Sequence, residues 1–307
     1  MTKCELKNLM RIFRSISDLF LLDLIGLIRG IFSFLSVSSL FIGCTGFFNT
    51  YIGYILLGME PQIQVCFAVF LVSFSVYTLD KITDMDKDAA SMPARVAFLR
   101  GRKKIAIAYS SLAYVLSMII LFLGNPISSI LVLVPIAANV VYGTKLIPGI
   151  PRLKDIPVMK NAIVAFSWAL VTIMIPVTYH SLPLSSHFLM PVMTVLFFMF
   201  VKMFINTVLY DIRDESGDKT NNIRTIPVLI GSKTTTKILL ALNSTLFVGL
   251  RWVDGLSRIL VLALTFYGYF YILYFSEPRD PLALDLCVDG EFLIASLFVV
   301  AISGMLN

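Results

Sequence analysis

Long apolar runs broken by short polar stretches set the pattern of this chain. A membrane-spanning helix needs about 20 mostly apolar residues, within a range of about 17–25. Nine stretches approach that template: 30–50, 62–82, 104–123, 126–143, 158–179, 187–210, 235–251, 256–276 and 290–306. The intervals hold turn and breaker residues, such as Gly124-Asn-Pro126 and Glu277-Pro-Arg-Asp-Pro281. Segment 5–29 differs: Lys3, Lys7, Arg11 and Arg14 precede apolar residues that Asp18 and Asp23 interrupt. It reads as an amphipathic helix at the membrane interface rather than a cleaved signal. The expectation is an all-α fold, a polytopic transmembrane bundle of about nine helices over 30–307, with 1–29 as a cytoplasmic or interfacial segment.

Composition agrees with the pattern. Hydrophobic residues make up 58% of the chain and charged residues 14%, against about 45–50% and about 25% in soluble domains. The formal net charge is +6. A basic balance can signal nucleic acid, but here Lys and Arg collect in alternate loops, 80–104, 144–160 and 211–237, whereas 51–61, 124–126 and 180–187 have none. That is the positive-inside signature of a membrane protein and implies no nucleic-acid partner. It predicts the N-terminus and the basic loops on the cytoplasmic side. Loop 251–258 has Arg251 and Arg258 while 277–290 has only Arg279, so the direction of the last two helices stays open. The cysteines lack metal-type spacing, and His180 and His187 flank a loop and read as structural.

Two of the basic loops open on acidic clusters: DKITDMDKD (80–88) and DIRDESGD (211–218). If the preceding helices continue, Asp80, Asp84 and Asp88 share a face at i, i+4 and i+8, and Asp86 points elsewhere. Asp211, Asp214 and Asp218 share one at i, i+3 and i+7. Like charges so placed destabilise a helix by a few tenths of a kcal/mol per pair, and the C-terminal end of a helix disfavours anions. Divalent cations remove both conflicts. Carboxylate oxygens suit Mg²⁺, whose shell is commonly completed by water and phosphate, so two facing clusters are expected to hold two or three Mg²⁺ around a diphosphate. Each cluster is followed by a polar loop with an arginine near a proline, Arg95 and Arg224. This reads as an internal duplication: two four-helix units about a pseudo-twofold axis, plus a ninth helix. Lys202, inside the sixth apolar stretch, is an intramembrane charge with a functional reading or a structural one, snorkelling to the interface or pairing locally. Asn206, one turn before the second cluster, is expected to line the pocket.

These residues resemble the UbiA superfamily of intramembrane aromatic prenyltransferases. The family's N-D-x-x-D-x-x-x-D motif, continuing x-x-N-x-P-x-R, is matched at Asp84, Asp88, Pro93 and Arg95. Asp80 and Ser91 stand in the two Asn positions and Lys81 in the first Asp position. Its second motif, D-x-x-D-x-x-x-D with a following I-R-T-x-P-x-x-x-G, is matched by Asp211, Asp214, Asp218, Arg224, Thr225, Pro227 and Gly231. A segment running from Tyr to Lys to Lys-Asn is matched by Tyr142, Lys145, Lys160 and Asn161. The likeness covers roughly 25–275.

The resemblance implies transfer of a polyprenyl group from an allylic diphosphate to a small acceptor, with release of diphosphate. Asp80, Asp84, Asp88, Asp211, Asp214 and Asp218 would hold Mg²⁺, with Asp84, Asp88, Asp211 and Lys145 closest to the chemistry. Arg95, Arg224 and Lys145 would grip the diphosphate, with Tyr142 and Asn206 lining the pocket. Arginine suits this role through forked contacts to phosphate oxygens. A bundle interior would shield the allylic cation from water, and the prenyl tail would extend into membrane lipid. The acceptor stays open between an aromatic or quinone precursor and the glycerol hydroxyl of an ether lipid, as in digeranylgeranylglyceryl phosphate synthases. A non-enzymatic divalent-cation transporter is the alternative of another class. The D-x-x-D-G-x-x-A-R pattern of CDP-alcohol phosphotransferases is absent.

Overall fold

A computed structural model describes residues 26–83, 85, 93–143, 156–182 and 186–306, and among these no residue is in a strand. In chain order the helices are α1 (Gly26–Val37), α2 (Leu40–Leu56), α3 (Ile63–Thr83), α4 (Pro93–Leu99), α5 (Lys103–Gly124), α6 (Pro126–Leu131), α7 (Leu133–Gly143) and α8 (Met159–Tyr179). There follow α9 (Ser186–Thr220), α10 (Ile226–Ile230), α11 (Ser232–Ser244), a 3₁₀ turn (Thr245–Arg251), α12 (Gly255–Tyr274), α13 (Pro281–Leu284), a π turn (Asp285–Asp289) and α14 (Glu291–Leu306). All nine apolar stretches are helical. Five helices are long and apolar enough to cross a membrane, namely α3, α5, α8, α9 over Phe188–Thr220, and α12. A sixth span results if α1 and α2, bent 79° from one another, count as one.

The remaining stretches depart from straight rods for local reasons. At the α1–α2 bend Ser39 takes φ +65°, and the Lys81 ammonium meets the carbonyl oxygens of Ser36 (2.6 Å) and Val37 (3.5 Å). A cation at a helix C-terminus satisfies carbonyls that have no partner within the helix. Stretch 126–143 starts on Pro126, with the Asn125 side chain capping the Ile127 amide at 2.9 Å. It is interrupted after Leu131, where Pro135 has no N–H for the Leu131 carbonyl. Stretch 235–251 runs as α11 and then tightens into the 3₁₀ turn. In contrast, α9 continues ten residues past the predicted end at 210. Its 35 residues extend about 52 Å, beyond a hydrocarbon core of about 30 Å, and the second acidic cluster rides on this extension.

Packing closes the helices on themselves. Contacts run from α2 to α3, α5, α6 and α7, α8, α9, α11, α12 and α14, and α14 returns to α2. Small residues make the central helix tight, as expected where apolar burial gives little drive between helices in lipid. A Cβ on Gly46 of α2 would overlap the Ser73 side chain on α3, and one on Gly53 would stand 3.1 Å from the Thr172 carbonyl oxygen on α8. Ala165, Ala169 and Ile173 of α8 share a buried core with Val195, Met199, Ile205 and Ile212 of α9. One end of the bundle is held by Ser257 on the Ile55 carbonyl and by Asn125 on Ser181 and the Thr178 carbonyl. His180, read as structural, packs edge-on to Tyr54 there. The opposite end gathers Ser36, Lys81, Lys160, Asp211 and the whole of 275–289.

Candidate active site

The second acidic cluster is built on α9. Asp211 is buried, Asp218 partly buried and Asp214 exposed. The Asp211 carboxylate meets the first turn of α8: Asn161 donates to Oδ2 at 2.8 Å, and the Lys160 ammonium lies 3.5 Å from Oδ1. An anion there also faces the favourable pole of the α8 dipole. Thus Lys160 and Asn161, matched to a family segment but given no role from the sequence, meet the second cluster at one carboxylate. Both oxygens of Asp214 are taken by its neighbour Arg213, at 2.8 and 2.7 Å. Asp218 has no ion-pair partner within 4 Å among the described residues. Beyond the cluster, Arg224 is exposed and Thr225 buried. Pro227 opens α10, and Gly231, at φ +80°, turns the chain into α11. A positive φ is strained for other residues, which accounts for the glycine of that motif.

The first cluster is only partly placed. Asp80 is partly buried near the end of α3, and Arg95 is partly buried on α4. Asp84, Asp86, Asp88 and Lys145 lie outside the described residues, as does the side chain of Tyr142, whose backbone belongs to α7. Lys81, the departure from the family motif, points to the α1 carbonyls. Among the described residues no three His, Cys, Asp or Glu side chains are grouped to hold a metal ion. Asp211, Asp214 and Asp218 share one face of α9, Asp218 has no ion-pair partner within 4 Å among the described residues, and carboxylate oxygens are the donor type Mg²⁺ prefers.

Asn206 engages a residue that the sequence analysis did not single out: its Nδ2 donates to Asp289 Oδ1 at 2.6 Å. It is the middle rung of a ladder. Lys202, Asn206 and Tyr210 repeat every four residues along α9. Lys202 pairs with Glu291 at 2.8 Å and donates to the Leu264 carbonyl at 3.0 Å. The Tyr210 hydroxyl lies 2.8 Å from Asp285 Oδ1 and 2.6 Å from Asp289 Oδ2. Ser36 of α1 donates to Asp285 Oδ2 at 2.8 Å. Of the structural readings of Lys202, pairing holds and snorkelling does not: at 1% exposure it is one member of an internal ion pair. The available sequence signal was Asp285, Asp289 and Glu291, three acids crowded at the entrance to an apolar helix.

An open apolar groove of about 460 Å³ lies between α7 and α8, lined by Ala137, Ala138, Val141, Ala162, Phe166 and, from α9, Phe200, among others. It starts at Ala162, directly after the Lys160–Asn161 pair that meets Asp211.

Comparison with known proteins gives the family and the fold. The sequence pattern of the UbiA prenyltransferase family matches residues 50–297. None of the curated proteins matches the chain. Among solved structures, the apo structure of a UbiA homolog from Aeropyrum pernix K1 is similar at TM-score 0.62 and 14% identity, covering 83% of this chain and 98% of that one. A UbiA homolog from Archaeoglobus fulgidus bound to DMAPP and Mg²⁺ is similar at TM-score 0.58 and 16% identity, over 87% and 98%. A structure concerned with digeranylgeranylglyceryl phosphate synthase in membranes is similar at TM-score 0.56 and 18% identity, over 87% and 94%.

Proposed function

Because the chain belongs to the UbiA prenyltransferase family, we propose that it transfers a polyprenyl group from an allylic diphosphate to a small acceptor within the membrane, releasing diphosphate. Family membership makes it an enzyme and sets aside the transporter alternative. The observation that carries the reading is the meeting of Lys160 and Asn161 with Asp211 in the first turn of α8, the helix whose following residues line an apolar groove. A polar, charged head and an apolar trough of this size suit a ligand with a diphosphate at one end and an isoprenoid chain at the other.

Asp211, Asp214 and Asp218, with Asp80, Asp84 and Asp88 from the first cluster, would hold two or three Mg²⁺. Bound Mg²⁺ supplies charge neutralisation and a template for the diphosphate. The chain's own residues do the remainder. Arg95, Arg224 and Lys145 grip phosphate oxygens. Asn161 fixes the Asp211 carboxylate, and releasing Asp214 from Arg213 frees a further pair of oxygens. The closed bundle keeps water from the allylic cation. We also read the nine helical stretches as nine passes in two repeated four-helix units, with the acidic ends on the cytoplasmic side. The archaeal homolog bound to DMAPP and Mg²⁺ supports the donor class and the metal. The acceptor is an aromatic or quinone precursor, with a glycerol hydroxyl as the rival. The test incubates purified protein with Mg²⁺, a panel of prenyl diphosphates and both acceptor classes, and reads products by mass spectrometry. A prenylated aromatic is expected, and a prenylated glycerol moves the assignment to ether lipids. Absence of Mg²⁺-dependent diphosphate release with every donor overturns the reading.

A further inference from the structure

The Tyr210 hydroxyl stands between two carboxylates, and its hydrogens can be counted. Asp285 Oδ2 receives the Ser36 hydroxyl hydrogen, and Asp289 Oδ1 receives an Asn206 amide hydrogen. Two contacts remain, Tyr210 to Asp285 Oδ1 at 2.8 Å and to Asp289 Oδ2 at 2.6 Å. A phenol has one hydrogen to donate. If both acids were ionised, one of these close oxygen–oxygen contacts would contain no hydrogen. A carboxylic acid donating to the phenolic oxygen satisfies both.

We propose that Asp289 carries this proton and shares it with Asp285 across Tyr210, forming a latch that positions the stretch of α9 bearing Asp211 and Asp214. Several features assign the proton to Asp289 and the charge to Asp285. The Asp289 contact is the shorter one. Asp285 faces Ser36, whose carbonyl holds the Lys81 ammonium. The Arg213 guanidinium, 4.7 Å from the Tyr210 ring centre, adds positive charge beside the cluster while holding Asp214. Lys202 is occupied by Glu291, Arg29 by Asp280, and Tyr267 by the Cys287 carbonyl, so none of them neutralises Asp289. Burial pushes the Asp289 carboxyl up to about 7, with the Asp285 charge adding to it, against hydrogen bonds from Tyr210 and Asn206 and the charge of Arg213. Through Tyr210 and Arg213, the latch acts on residues flanking Asp211 and Asp214. Its effect on donor binding rests on the prenyl-transfer reading, whereas the proton itself does not.

Asp289→Asn is the informative variant, because its amide can donate to the phenolic oxygen at every pH. Infrared difference spectra of wild type and Asp289→Asn in detergent at neutral pH are expected to show a protonated-carboxyl C=O stretch in the wild type alone. The melting temperatures give the sign independently. The folded Asp289 keeps its proton up to about pH 7, while the unfolded carboxyl releases it near pH ~4. The wild type therefore loses stability relative to Asp289→Asn as pH rises between these values, and the gap is constant above them. Binding of a non-reactive thio-diphosphate donor analogue with Mg²⁺ is the third reading. Between pH ~6 and pH ~8.5, wild-type affinity should fall by about fivefold or more relative to Asp289→Asn, and Asp289→Ala should be weakened at both ends. An identical carboxyl stretch in the two proteins, or parallel melting profiles, overturns the proton. A shared pH profile of analogue affinity overturns the positioning role. A wild type that binds no donor analogue at any pH removes that role together with the prenyl-transfer reading, while the infrared and melting results still decide the proton.

Discussion

Asp211 and Asp218 lie two turns apart on one face of α9, yet their surroundings differ. Asp211 is buried and held by Asn161 and Lys160. Asp218 is less constrained and so is a clean probe of the acidic cluster. Asp218→Ala should lower turnover by about a hundredfold or more, since removing a stabiliser of transition-state charge has effects of that order, while the melting temperature in detergent stays near wild type. Full activity in this variant would sink the two-cluster site. Arg224 tests the diphosphate grip. A lost charge-assisted hydrogen bond is worth about 1.5–3 kcal/mol, or about ten- to a hundredfold in donor-analogue affinity. Arg224→Lys should recover only part of it, since the fork is lost. Equal affinity in wild type and Arg224→Ala would leave this exposed arginine a topology signal. Residue spacing made the second cluster legible but not its meeting with Asn161, which appears only in the fold. It did not reveal the partner of Asn206, because a contact between residues 206 and 289 leaves no local pattern. It also gave no reason for Lys81, which follows only from the bend that exposes the Ser36 and Val37 carbonyls.

Helices were legible where apolar runs were long and free of breakers, as in α3, α5, α8 and α12. They were misjudged where a single residue or a distant partner decides. Pro135 breaks one stretch, and α9 runs on through charged residues because Asp211 is held by α8 and Glu215 by Lys219 and Ser232. The ion pair between α9 and α14 is the strongest element-scale example. Lys202 and Glu291 are both almost fully buried, and the Lys202 ammonium also lies 4.7 Å from the Tyr271 ring centre. Breaking a buried pair strands the remaining charge, at a cost of roughly 3–5 kcal/mol, whereas replacing both members by apolar residues of similar size is often neutral. Lys202→Met should therefore lower the melting temperature in detergent markedly, and Lys202→Met combined with Glu291→Leu should restore most of it. A double variant no more stable than Lys202→Met would show that the ammonium matters chiefly for the Leu264 carbonyl and Tyr271, independently of Glu291.

At the scale of the whole molecule, charge counting left the last two helices undirected, because Arg251 and Arg258 outnumber Arg279. The three-dimensional arrangement gives their direction relative to the rest of the bundle. Segment 275–289 lies at the end that bears Lys81, Lys160 and Asp211, tied there by Arg29 to Asp280, Ser36 to Asp285 and Tyr210 to both acids of the π turn. Arg258 is at the other end, where Asp254 and the Val253 carbonyl take its guanidinium, so its charge is largely spent locally. The positive-inside rule is a statement about loops near span ends and tolerates such exceptions. This yields a prediction about sidedness. Single cysteines at Lys219 and Arg279, introduced after the native cysteines are replaced, should react with a membrane-impermeant maleimide only when the cytoplasmic face is presented, as in inverted vesicles. A cysteine at Glu60 or Ser181 should react only from the opposite face. If Lys219 and Arg279 label from different faces, the closure of α14 onto α2 is wrong. If they label together but from the outside, the bundle stands while the cytoplasmic assignment inverts, and the donor would have to reach the acidic clusters from the other leaflet.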